Sequence, residues 1–364
     1  MTQTQNNIPG PSQTEPVELW YTRCGAATAS ALAIQKDWLQ AEFSRGGTVL
    51  RSLRESDSLD ILNSHYHHKL TGLFREGGNI PPIWAKAQGQ DTAVIGITWL
   101  DEYQGILTLA GSGIREIADL QGKRLGLPLH KHALIDFQRG AALHGFVTAF
   151  GLAGLDATEA VFVDVEGFEG DRRERAFRPA GLARNTEVEA LLEGKVDAIF
   201  LRFARGHRAA QDPRFHEVIN INTLDDPLLR VNNGTPRPIT VDRPFLEKHP
   251  DLVVRYLAVL LRTAAWAEHH AREAAELLIP ENGGFGLEDV WASHGRDVHL
   301  SFSPKLSPAY IKGLETQKNF LRDWHFLQAD FDIADWIVEE PLAEAIKLVE
   351  REPDLAEFPT ALVA

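Results

Sequence analysis

Cysteine is nearly absent: one thiol, Cys24, stands in 364 residues. A single thiol excludes an intrachain disulfide and a cysteine-based metal cluster. Also missing is any apolar run near the roughly 18 residues that a membrane span needs, so no role within a membrane is expected. Positive charge is short as well. The 37 Lys and Arg against 51 Asp and Glu leave a formal net charge of −14, which argues against nucleic acid or an anionic membrane surface as the main partner. The opening MTQTQNNIPGPSQTEPVE holds neither Lys nor Arg nor an apolar run and so shows no secretory leader pattern. The expectation is a cytoplasmic protein with a disordered or extended tail over residues 1–16, in a compartment that keeps a thiol reduced. No internal repeat or low-complexity tract is visible, and GKRLGLP lacks the Lys-Ser/Thr ending of a phosphate loop.

What is present reads as a globular chain, 44% hydrophobic and 24% charged, long enough for two domains or two lobes. VELWYT (Val17 to Thr22) predicts a buried strand, and ATASALAIQKDWLQAEF after it predicts an amphipathic helix. GTVLRSLR, TAVIGITWL, GILTLA, Lys123 to Leu127, AVFVDV and Ala198 to Phe203 predict further strands, alternating with helical stretches. From about Lys305 the chain reads as mostly helical. This alternation predicts α/β architecture with largely parallel sheets. A unit that leaves near residue 110 and returns near 235 predicts two lobes. Lobe I takes 17–110 plus 236–364 and lobe II 111–235, with a ligand cleft between them at strand ends.

Cys24 sits where the first strand gives way to the first helix. A helix turn over Ala26 to Ser30 would present free N–H groups and the positive dipole end to its sulfur, a setting that favours thiolate and nucleophilicity. By residue type alone a lone cysteine is more often a small buried apolar residue. His65, His67 and His68 cluster in SHYHHKL without a carboxylate or thiol at a metal-ligand spacing, so no metal is expected. One of them suits proton transfer with Cys24 instead. Arg75 offers a planar fork to paired anionic oxygens. Gly77 and Gly78 allow close backbone approach, and their N–H groups suit an oxyanion site. His130 and His132 in LHKH, His269 and His270, and Ser112 in AGSGIRE read as loop or surface residues.

The motifs YTRCGAATASALAIQKDWL, VIGIT, IADLQGKRLGLP, EGKVDAIF and FLEKHPDLVVRYLAVLLRTAAWAEHH, in that order, resemble the periplasmic-binding-protein-like family of sulfonate, taurine and nitrate receptors. Within it the chain is most similar to the aryl sulfinate desulfinases. The resemblance implies an α/β, two-lobed periplasmic-binding-protein-like (type II) fold with an interlobe cleft. It implies a cysteine active site at Cys24, with REGGNIPP carrying the anion-binding roles onto Arg75 and Gly78. The family's histidine falls on His65, ten residues before Arg75. The implied activity is cofactor-independent hydrolysis of an aryl sulfinate to the arene and sulfite, by a monomer whose partner is a small anionic substrate. The alternative is a non-catalytic sulfonate-binding receptor of an ABC transport system. A thiamine-pathway pyrimidine synthase shares the fold, but its cysteine-rich motif is absent.

Overall fold

The computed structural model describes residues 17–22, 24–44, 47–167 and 185–352; the tail expected over 1–16 lies outside them. Among the described residues ten strands form two five-stranded sheets. The first contains β1 (Glu18–Tyr21), β2 (Val49–Ser52), β3 (Leu73–Glu76), β4 (Thr92–Thr98) and, from much later in the chain, β10 (Arg237–Asp242), in the order β2-β1-β3-β10-β4. The second contains β5 (Gln104–Leu109), β6 (Arg124–Leu129), β7 (Val161–Glu166), β8 (Ala198–Arg202) and β9 (Phe215–Asn220), in the order β7-β6-β8-β5-β9.

This topology corrects two expectations. Because β5 pairs with β8 and β9, the chain has already crossed to the second lobe at 99–103, so the boundary near residue 110 is too late. The sheets are largely parallel, with four strands of five running one way in each, and that expectation is corrected only for the odd strand: β10 runs antiparallel to β3 and β4, and β5 runs antiparallel to β8 and β9. Each sheet takes in one strand next to a crossing between lobes, and that strand has no helix-wound approach to set it parallel.

The single helix expected after β1 is two, Ala29–Gln35 and Trp38–Ser44. Asp37 between them takes a left-handed φ of 57°, which ends the first helix. Trp38 then turns edge-on to Trp266 at 5.2 Å, burying a large apolar surface that a straight helix would aim elsewhere. Likewise the long helix after β10 breaks at His249 into Arg243–Lys248 and Pro250–His269, since Pro250 can open a helix but not continue one.

The first-lobe core gathers Leu19, Phe43, Phe74, Ile95, Tyr256 and Phe302, with Phe74 stacked on Tyr256 at 4.1 Å. A second cluster belongs to neither lobe alone. It joins Ile80, Ile83 and Val94 of the first lobe to Leu125, Phe146 and Phe200 of the second. Leu314 and Leu321 of the helix Pro308–Asp323 complete it, with Trp336, whose Nε1 donates to Thr92 Oγ1 at 3.0 Å. Each buried side chain of this size contributes about 1.5–3 kcal/mol, so this cluster fixes the lobes against each other and shapes the cleft beside it. Among the described residues no helix is long and apolar enough to cross a membrane.

Candidate active site around Cys24

Cys24 follows β1 and lies half-buried, reached through a turn at Gly25, whose φ is +69°. The helix after it starts only at Ala29, later than the sequence reading placed its first turn. Its leading amides are already used: Thr28 Oγ1 accepts from Ala31 N–H at 3.0 Å and Glu76 Oε2 from Ser30 N–H at 2.8 Å. The sulfur faces His65 instead, with Cys24 Sγ 3.8 Å from His65 Nε2. His65, near the end of the helix Leu59–His67, is held from its other side by Thr22 Oγ1 at 2.7 Å from Nδ1.

Arg75, fully buried on β3, ties these parts together. Its Nε donates to His65 O at 3.1 Å and its Nη1 to Gly78 O at 2.8 Å. The alternation of the strand turns its neighbour Glu76 the other way, to Ser30 and to the Thr98 hydroxyl at 3.1 Å. The two glycines after β3 are fixed by contact. A Cβ at Gly77 would lie 2.6 Å from Cys24 Sγ, and one at Gly78 2.8 Å from Asn233 Nδ2. Gly77→Ala should therefore push the thiol off its position and lower turnover by about 10²-fold, the effect of an ångström-scale misplacement. Sulfite release from an aryl sulfinate, the activity that the sequence resemblance implies, measured beside a urea melt checks it; wild-type turnover would show that the thiol position does not matter.

Cys24, His65, Arg75 and Gly78 line one cavity of about 220 Å³, with Arg202, Phe203, Asn233 and Gly234 opposite. The sequence reading had picked none of these last four. Arg202 ends β8; its Nε donates to Glu102 Oε1 at 2.6 Å, and Glu102 Oε2 is 3.3 Å from Arg237 Nη2. Arg237 is fully buried, and donates from Nε to Gly234 O at 2.8 Å and from Nη1 to Ala27 O in the cysteine loop. Burial pushes the Arg237 pKa down, and the charges of Glu102, Cys24 and Glu76 push it back up. Burial also raises the Glu76 pKa, toward the neutral acid. Three guanidinium groups (Arg75, Arg202, Arg237) thus stand against two carboxyls (Glu76, Glu102), an excess of positive charge suited to an anion. Phe203, beside Arg202, holds a left-handed φ of 57°, a strained setting for an aromatic residue that recurs at functional sites.

The remaining histidines go elsewhere. His67 pairs with Asp60 at 3.3 Å. His68 lies behind Arg75 with its Nδ1 3.0 Å from Tyr66 O, and burial, then the Arg75 charge, lowers its pKa to about 3. His130 sits 3.1 Å from Asp136 and, with His132, lines a separate cavity of about 140 Å³. Ser112 Oγ accepts from Ile114 N–H in a turn, and His269 and His270 are exposed. Among the described residues no group of three or more His, Cys, Asp or Glu could hold a metal ion.

Buried neutral histidines predict an acid-sensitive fold. His68 and His294 at about 3 and His144 at about 4 lie below their ordinary 6.5, in each case chiefly through burial. The unfolded chain binds protons that the folded one refuses. Their contribution is therefore complete above pH about 6.5 and is lost as pH falls toward about 4 for His144 and about 3 for His68 and His294, by up to about 1.4 kcal/mol per pH unit for each histidine. Urea unfolding at pH about 7 and about 5 measures this; equal midpoints would refute it.

No family model matches the chain. Curated relatives are the 2'-hydroxybiphenyl-2-sulfinate desulfinases of Rhodococcus erythropolis and Rhodococcus qingshengii, each 25% identical and covering 79% of this chain and 86% of the relative. Among solved structures, the desulfurization enzyme DSZB, as a cysteine-to-serine mutant with biphenyl-2-sulfinic acid, matches with a TM-score of 0.71 at 22% identity, covering 91% of this chain and 99% of that one. A putative periplasmic sulfonate-binding protein SsuA from Methylobacillus flagellatus KT matches with a TM-score of 0.67 at 15% identity, over 93% and 96%. The resemblance drawn from the sequence stands in both comparisons, and the fold is the two-lobed α/β fold of periplasmic binding proteins.

Proposed function

We propose that this chain is a cofactor-independent desulfinase that hydrolyses the C–S bond of an aryl sulfinate and releases sulfite. The observation that carries the reading is Cys24 Sγ set 3.8 Å from His65 Nε2 in a cavity that Arg75 and Gly78 also line. A bare anion receptor has no use for a thiol paired with an imidazole.

The overall reaction balances as sulfinate plus water giving arene plus bisulfite. With His65 Nδ1–H donated to Thr22 Oγ1, Nε2 faces the sulfur as an acceptor and takes the thiol proton. The guanidinium excess and the Gly78 segment hold the sulfinate oxygens and stabilise charge that builds on them. Two routes use these groups. In one, the thiolate attacks sulfur, the C–S electron pair takes a proton to give the arene, and water cleaves the Cys24–SO2 adduct to bisulfite and thiol. In the other, Cys24 delivers its proton to the ipso carbon while water attacks sulfur. Mass spectrometry of the quenched enzyme separates them, because only the first adds sulfur dioxide to Cys24.

The second reading, a sulfonate or anion receptor, is favoured by the overlay on SsuA proteins described as sulfonate-binding. Sulfite release from a panel of aryl and alkyl sulfinates decides between the two. Binding without release from any of them would establish the receptor.

A further inference from the structure

A second cavity, of about 310 Å³, adjoins the Cys24 cavity and shares Gly25, Phe137, Arg202 and Phe203 with it. Its walls include Phe200 and Phe285. It also takes in Asn282, in the turn after the helix Ala271–Leu277. Asn282 is only 6% exposed, and neither its Nδ2 nor its Oδ1 has a hydrogen-bond partner in the protein. Turning the amide over does not change that, because both ends are bare. A buried amide without partners is costly, and aromatic side chains set beside polar ones, among them Glu187, Arg205 and Glu281, match the anatomy of a small-molecule site.

From this we infer that the outer cavity is a second subsite, for an aromatic group bearing both a hydrogen-bond donor and an acceptor, which Asn282 reads. A carboxamide fits that description. The inference rests on the desulfinase reading only in placing the two subsites under one molecule, sulfinate inward and substituted ring outward. Selectivity built on a buried polar group is sharp, because a ligand lacking the matching group leaves the amide bare.

The test uses the full chain with Cys24→Ser, so that a bound sulfinate is not consumed, and reads affinity by calorimetry. Two biaryl sulfinates are compared that differ by one carboxamide on the distal ring. The carboxamide form should bind about tenfold more tightly, and adding Asn282→Leu should erase the difference. Asn282→Asp, which keeps the shape and loses the donors, should reduce it and serves if the leucine variant does not fold. Equal affinities before the Asn282 change, or an unaltered preference after it, overturn the subsite. Benzamide, which has no sulfinate, separates this from the function itself. It should raise the melting temperature of the native chain and not that of Asn282→Leu. A benzamide shift with neither sulfinate bound sinks the desulfinase reading and leaves the subsite standing; no shift while the sulfinates bind equally sinks the subsite alone.

Discussion

Cys24→Ser is expected to lower sulfite release by at least about 10³-fold while leaving sulfinate binding and the melting temperature near wild type, on the scale of removing a nucleophile or its partner from a catalytic unit. The sulfur lies beside Gly77, where a Cβ would come within 2.6 Å of it, and 3.8 Å from His65 Nε2. A serine hydroxyl is smaller than the thiol and fits the same space, so the fold has little to lose. The chemistry loses its ionisable group. A hydroxyl gives up its proton far less readily than a thiol, and oxygen is the poorer nucleophile toward sulfur. A sulfite assay with calorimetry on the same preparation checks both halves. Turnover equal to wild type would remove Cys24 from the mechanism.

Glu102→Gln should produce the largest loss of stability, about 3–5 kcal/mol, because it takes the counter-charge from two arginines at once. Arg237 is fully buried and Arg202 nearly so, and Glu102, itself fully buried, lies between them. The substitution keeps the shape and removes the charge, leaving two guanidinium groups facing each other in a medium that screens them poorly. The damage should reach the active site, since Arg237 also grips Ala27 O in the cysteine loop. A urea titration reads the first effect, and residual sulfite release at low denaturant reads the second. A change under about 1 kcal/mol would mean that the arginines are balanced by other groups.

The parts of this site that sequence reasoning reaches are those close along the chain or carried by a distinctive residue. Cys24 is the only thiol, and Arg75, Gly77 and Gly78 are adjacent after a strand. The structure places all of them with His65 around one cavity or at its wall. The helix-dipole account of Cys24 fails for a local reason: Thr28 is a strong N-cap and moves the helix start beyond the cysteine. The opposing wall was out of reach because its residues are scattered. Arg202 and Asn233 of that wall, with Glu102 and Arg237 paired behind Arg202, come from two crossings between lobes and two strands, and only the topology brings them together. Signals did exist. Arg202 and Phe203 stand at the carboxyl end of a strand read correctly from Ala198, where ligands gather in α/β folds. NNG at Asn232–Gly234 is a polar turn just before the return strand. The boundary near 110 failed because GILTLA looks the same whichever sheet it joins.

The apolar cluster that runs unbroken from Ile80 through Phe200 to Trp336 has a consequence for how the molecule uses its cleft. Prising the halves apart would wet those side chains, so a jaw that swings shut on its prey is an expensive motion here. A ligand therefore meets a mould cast in advance rather than a hinge that closes around it.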